Sequence, residues 1–100
     1  MDVGSYQLHR RAVAALNQLD DDEQAQVLER LVSLGSTAAA QWPAGLASRL
    51  RGDQPLYLVR VDDSLRLIVQ TGLGQRPEVL DIVRQEALDF MAQAAARNGA

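Results

Sequence analysis

The feature that most constrains this sequence is a pair of alternating runs set very close together. Leu56-Tyr57-Leu58-Val59-Arg60-Val61 and Leu65-Arg66-Leu67-Ile68-Val69-Gln70 are separated by Asp62-Asp63-Ser64 alone. Large and β-branched apolar residues at every second position suit a pleated, half-buried strand. A three-residue polar break between two such runs suits a tight hairpin. A third run, Glu78-Val79-Leu80-Asp81-Ile82-Val83, ends at Arg84 and follows a loop from Thr71 to Pro77 that carries Gly72 and Gly74. The expectation is a three-stranded antiparallel sheet with one apolar face, and that face must be covered.

The first half of the chain supplies the cover. Ser5-Tyr6-Gln7-Leu8 reads as a short first strand. From His9 the period changes: Val13, Leu16 and Leu19 recur at helical spacing, helped by Ala12, Ala14 and Ala15. Asp20 with Glu23 three residues later has the form of a capping box, and the acidic run Asp20 to Glu23 suits the positive end of a helix. Val27, Leu28, Leu31 and Leu34 then form an apolar stripe, closed by Gly35. The two helices are joined so tightly that an antiparallel hairpin is expected. Ser36 to Asp53 reads as a long connection, with Trp42-Pro43 anchoring it to the core. Gln85 to Arg97 reads as a last helix with Leu88, Met91 and Ala95 on one face. Val32 and Leu34 are candidates for an exposed apolar patch and hence for a homodimer. The overall expectation is an α+β fold in one domain over residues 1–100, with a frayed tail at 98–100.

Composition narrows the chemistry. The 100 residues contain no Cys, which excludes disulfides, thiolate metal sites and cysteine nucleophiles. The single His, His9, leaves no basis for a histidine metal site or a Ser-His-Asp triad. No cofactor and no metal are expected. No run approaches the roughly 20 apolar residues that span a bilayer, and no leader is visible, so a cytoplasmic location off the membrane is expected. The net charge is −3, so the molecule as a whole does not attract polyanions. Yet all ten basic residues are Arg and none is Lys.

Several of those Arg converge on the sheet. Placing Val61 opposite Leu65 puts Val59 opposite Leu67 and Tyr57 opposite Val69, one continuous apolar face. The same register sets Arg60 directly opposite Arg66 on the other face. Like charges directly opposite are destabilising, so something anionic must offset them. One candidate is Asp81 on the third strand. The other is an anionic ligand, such as RNA phosphate or an acidic partner segment. Arg49 and Arg51 precede the hairpin and Arg84 follows the third strand, so five Arg could gather around one face.

The chain resembles the RelE/ParE superfamily of type II toxin–antitoxin toxins. The resemblance rests on "RLRGD" at Arg49–Asp53, "LYLVRV" at Leu56–Val61, "DDSLRLIV" at Asp62–Val69 and "VLDIVRQEAL" at Val79–Leu88. It also rests on the order of short strand, helical hairpin, long loop, three-stranded sheet and C-terminal segment. In ribosome-dependent ribonucleases of that family, an Arg matching Arg66 stabilises phosphate charge, and basic residues match Arg84 and the region of Arg51 and Arg60. Cleavage by an internal 2′-hydroxyl needs a base, an acid and positive charge around the phosphate. This chain departs from that pattern. Phe90 and Met91 stand where the ribonucleases commonly carry a Tyr, and the active-face Lys residues are missing.

The resemblance therefore implies a toxin-like module that acts through macromolecular binding, with a cognate antitoxin as partner. Binding would involve Arg49, Arg51, Arg60, Arg66 and Asp81. The alternatives it leaves open are a metal-independent mRNA endoribonuclease using Arg66 and Arg84, with ribosome or mRNA as partner, a gyrase-directed module, and a non-toxic regulatory or housekeeping domain of the same fold.

Overall fold

In a computed structural model of the chain, residues 2–3, 6–35, 39–72 and 77–98 are described. The elements are β1 (Asp2–Val3), β2 (Tyr6–Leu8), α1 (Arg10–Gln18), α2 (Asp21–Leu34), a 3₁₀ turn (Ala39–Gln41), β3 (Ala47–Arg49), β4 (Leu56–Arg60), β5 (Leu65–Gln70), β6 (Glu78–Arg84) and α3 (Gln85–Asn98). The strands form one mixed sheet in the order β1-β2-β6-β5-β4-β3. The fold is α+β.

The β4–β5 hairpin has the register that alternation dictates. Tyr57 pairs with Val69, Val59 with Leu67, and Arg60 with Arg66. Val61 lies just past the strand, is buried, and donates its N–H to the Leu65 carbonyl at 3.0 Å. The turn is built by Asp62. One of its carboxylate oxygens accepts from the Ser64 and Leu65 backbone N–H groups at 2.8 and 2.7 Å and from the Ser64 hydroxyl at 3.1 Å. Desolvation pushes the Asp62 carboxyl up, but these donors outweigh it and hold it below its ordinary range.

Both helices begin as their sequences require. Asp20 caps α2 by accepting from the Glu23 N–H at 2.8 Å, and Glu23 accepts in return from the Asp20 N–H at 3.3 Å. His9 caps α1, its Nδ1 accepting from the Arg11 N–H. Gln24 ties the two helices together by donating to the carbonyls of Leu16 and Leu19. Gly35 ends α2 with right-handed backbone, so no left-handed turn is needed there. The core is a single cluster that joins Tyr6 and Leu8 to Ala12 and Leu16 of α1, Val27, Leu31 and Leu34 of α2, and Val59, Leu65, Leu67, Val69, Val79 and Ile82 of the sheet. Burial also pushes the Tyr6 hydroxyl up to about 12.

Several expectations change. The connection after α2 contains a strand: β3 pairs antiparallel with β4 and forms one edge of the sheet. Ala47-Ser48-Arg49 carries no alternation of its own, and its pairing is imposed by the neighbour. Trp42 does anchor this segment, packing edge-on against Tyr57 with ring centroids 5.4 Å apart. The sheet is wider than three strands because β2 adds parallel to β6, and β1 pairs antiparallel with β2. Leu34 is buried, so only Val32 of the suggested patch is exposed, at 67%. On the expected apolar face of α3 Leu88 is half-buried but Met91 is 55% exposed, and Phe90 beside it is 67% exposed. Of other expected features, Ser5, residues 36–38 and 73–76, and the tail residues Gly99 and Ala100 lie outside the described residues.

The third strand of the hairpin sheet holds the most consequential difference. Between β5 and β6 the register shifts: Ile68 pairs with Asp81 but Val69 pairs with Val79. Leu80 is the extra residue of a β-bulge. Simple alternation placed Leu80 and Ile82 on the core face. The bulge resets the phase, so Val79 and Ile82 are buried and Leu80 is only half-buried.

Candidate functional site

Strand parity sorts the singled-out residues onto two sides of the sheet. Side chains alternate between faces along a strand, and directly paired residues share a face. Leu67, Val59 and Ile82 define the helix-covered side. Ser48, Leu58, Arg60, Arg66, Ile68, Asp81 and Val83 belong to the opposite, open side.

Arg60 and Arg66 therefore face each other across β4 and β5 on the open side. Their repulsion is met from the turn beside them. Arg60 forms an ion pair with the exposed carboxylate of Asp63. Arg66 donates to the Asp62 carbonyl and to its own neighbour's carbonyl, Leu65, the latter at 3.0 Å. Asp81 shares this face but pairs with Ile68, two residues along from the Arg66–Val83 pair. Its carboxylate accepts from the Ile82 N–H at 2.8 Å, inside the bulged stretch. The offset, for which Asp81 was one of two candidates, comes here from Asp63 and the turn carbonyls.

The other three Arg do not join this pair. Arg49 pairs with Tyr57 and so has the parity of the helix-covered side, at the sheet's edge, where it is exposed. Arg51 lies in the bend before Gly52 and is exposed. Gly52 has φ 129°, a conformation that L side chains rarely adopt, so this bend needs its glycine. Arg84 pairs with Leu65, which turns it to the helix side. There it forks onto Glu23 of α2, with Nη1 2.9 Å from Oε2 and Nη2 3.2 Å from Oε1. The Arg84 fork holds the Glu23 carboxyl below its ordinary range, and the Glu23 carboxylate raises the Arg84 guanidinium. The sheet thus stands between Arg84 and Arg66.

A groove of about 220 Å³ lies beside the arginine pair, lined by Ser48, Leu58, Arg60, Arg66 and the segment Ala44–Ala47. Ser48 and the 44–47 segment were not singled out by motif. Pairing with β4 brings Ala47 and Ser48 here, and the Arg60 N–H, donating to the Leu46 carbonyl at 2.7 Å, holds the segment before them. The groove offers two positive charges and one hydroxyl, with Leu46, Leu58 and short side chains between them. That set binds anionic groups, bidentately where the anion is a carboxylate or phosphate. A general acid or base is a different matter. The chain's one His caps α1, Tyr6 is buried in the core, and Tyr57 is half-buried against Trp42 on the helix side. Among the described residues no group of His, Asp and Glu could hold a metal ion, and no helix is long and apolar enough to cross a membrane.

No family model and no curated protein matches the sequence. Among solved structures, the chain is similar to the archaeal RelE–RelB complex from Pyrococcus horikoshii OT3, with a TM-score of 0.62 at 19% identity, over 84% of this chain and 97% of that one. It is similar to the RelBE2 toxin–antitoxin complex from Mycobacterium tuberculosis, with a TM-score of 0.52 at 15% identity, over 80% and 95%. It also resembles the conserved hypothetical protein HP0894 from Helicobacter pylori, with a TM-score of 0.50 at 14% identity, over 81% and 93%. The layout of helices and sheet is thus shared with these chains over about four-fifths of this one, and this protein has the fold seen in them.

Proposed function

We propose that this protein is a toxin-like module of a type II toxin–antitoxin pair, acting by binding a macromolecule and held in check by an antitoxin. The observation that carries the reading is the open face. It presents Arg60 and Arg66 beside a groove, with neither His, Lys nor Tyr among its described residues. Two guanidiniums can bind and orient an anion, but they stay protonated and move no proton. Of the carboxylates nearest the pair, Asp63 is ion-paired with Arg60 and Asp81 is turned to a backbone N–H. Arg84, the other residue a ribonuclease of this kind would use, is committed to Glu23 on the far side. The antitoxin partner is supported by similarity to chains solved as RelE–RelB and RelBE2 complexes.

The test is inducible expression with a growth readout, with and without the gene next to this one. Purified protein is assayed in parallel on mRNA bound to translating ribosomes. Growth arrest relieved by the neighbouring gene, without mRNA cleavage, is the expected result. No arrest under any condition would favour a non-toxic domain of the same fold, and cleavage would make it a ribonuclease.

A further inference from the structure

The last helix, α3, follows β6 without a break, and Gln85 fixes its start by donating its N–H to the Ser64 carbonyl at 2.8 Å. From Gln85 to Ala94 no residue of α3 is buried, and only Gln85, Leu88 and Ala94 are half-buried. A helix of 14 residues is marginal in water by itself and takes its stability in proteins from packing an apolar face. This helix has such a face. At 3.6 residues per turn, Ala87, Leu88, Phe90, Met91 and Ala94 fall on one side, and Gln85, Glu86, Asp89 and Gln93 on the other. The polar side is satisfied within the helix, where the Gln85 amide donates to the Asp89 carboxylate at 2.8 Å. The apolar side is not covered: Phe90 is 67% exposed and Met91 55%. Neighbouring large apolar side chains left this open on one face mark an interaction surface.

We infer that this face pairs antiparallel with the same face of a second copy of the chain, about a two-fold axis close to Met91. The helix sequence is complementary to itself when reversed. Its first half carries the bulk, Leu88, Phe90 and Met91, and its second half has Ala at four of the five positions 92–96. Its first half also carries the acids, Glu86 and Asp89, and its second half the one base, Arg97. A reversed copy sets bulk over Ala and acid beside base at both ends at once, as an isologous contact requires. A parallel copy would set Phe90 on Phe90, leave Ala against Ala and put acid beside acid. An anionic lipid surface is the other place where an amphipathic helix can lie, but that binding uses a basic polar face, and this one carries Glu86 and Asp89. The helix is only about 21 Å long at 1.5 Å per residue. The contact is therefore small and the dimer weak, dissociating in the micromolar range. It does not depend on the toxin–antitoxin reading.

Sedimentation equilibrium of the full chain over a concentration series tests this. Wild type should pass from monomer to dimer in the micromolar range. Phe90→Glu and Met91→Glu, both at exposed positions, should keep the melting midpoint of the dilute monomer and raise the dissociation constant about tenfold or more. Val32→Glu, on the exposed side of α2, should leave association unchanged. Orientation is read from the charges. Glu86→Arg and Arg97→Glu should each weaken the dimer, most clearly at low salt. The double variant Glu86→Arg/Arg97→Glu exchanges the signs at both ends and should recover it. The two positions are about three turns apart on one helix, too far to pair within it, so recovery can come only from contact between copies. Four results would overturn the inference: a monomer at every concentration, association indifferent to Phe90 and Met91, association lost in Val32→Glu, or a double variant no better than either single one. A lowered monomer melting midpoint in both Phe90→Glu and Met91→Glu would overturn it too, by placing this face in the core of the monomer.

Discussion

Arg84 at the end of β6 grips Glu23 in the first turn of α2, its Nη1 donating to Oε2 at 2.9 Å and its Nη2 to Oε1 at 3.2 Å. The same Glu23 closes the capping box with Asp20. One carboxylate thus joins the start of a helix to the end of a strand, 61 residues apart in sequence. This link makes Arg84 a brace of the fold on the side away from Arg66.

The brace predicts an acid dependence. Arg84 holds the Glu23 carboxyl below its ordinary value of 4.5, the backbone bond to Asp20 adds to this, and desolvation opposes it. A carboxyl whose pKa is depressed on folding stabilises the native state above its unfolded-state value, and that contribution disappears as pH falls through the folded value. Wild type should therefore melt higher than Glu23→Gln at pH 7, and the two curves should converge below about pH 4. Arg84→Gln should show the same convergence. Melting curves that stay parallel down to strong acid would show that the fork contributes no stability.

Asp20→Ala removes the N-cap of α2 and should lower stability by about 1 kcal/mol. Asp20→Asn keeps an acceptor for the Glu23 N–H and should lose much less. Chemical denaturation of both variants checks this. Equal losses would mean that charge rather than the hydrogen bond carries the cap.

The bulge predicts an inequality between neighbours. Leu67 is fully buried and central, so Leu67→Ala should cost about 2–5 kcal/mol. Leu80 reads in the sequence as an equal core residue, but it is the half-buried bulge residue, and Leu80→Ala should cost clearly less than Val79→Ala. Denaturant titrations of the three variants decide it. A Leu80→Ala loss as large as that of Leu67→Ala would place Leu80 in the core.

These cases mark what was legible in the residues. The hairpin register from Leu56 to Val69 was readable because apolar alternation is strict there and a one-residue slip would expose the whole face. The α2 cap was readable because Asp20 and Glu23 act over three residues. The bulge at Leu80 was not, since an extra residue changes phase without changing composition. β3 was invisible because Ala47-Ser48-Arg49 pairs only through its neighbour. The grouping of five Arg failed for another reason. Arg49, Arg51 and Arg84 were grouped by nearness in sequence to the hairpin and third strand, but Arg84 and Arg49 fall on the other parity.

Arg66 remains the residue on which a binder and a ribonuclease differ most. It is fixed to the hairpin by the carbonyls of Asp62 and Leu65, sits opposite Arg60, and lines the open groove. A cleaving enzyme would need that charge at the scissile phosphate. Losing it would cut the rate by about 10²–10³, as loss of a single oxyanion donor does elsewhere. It would also need a proton donor and acceptor within reach, and the carboxylates nearest the pair are engaged, Asp63 with Arg60 and Asp81 with the Ile82 N–H. The expected outcome is that wild type leaves ribosome-bound mRNA intact. Arg66→Ala should then fold, bind its partner more weakly, and show that loss mostly at low salt, where a surface charge contact is strongest. Arg66→Lys should recover part of the affinity by restoring charge without the planar fork. Wild-type protein that cuts mRNA on translating ribosomes, together with an Arg66→Ala variant that folds and does not, would make Arg66 catalytic and the open face an active site.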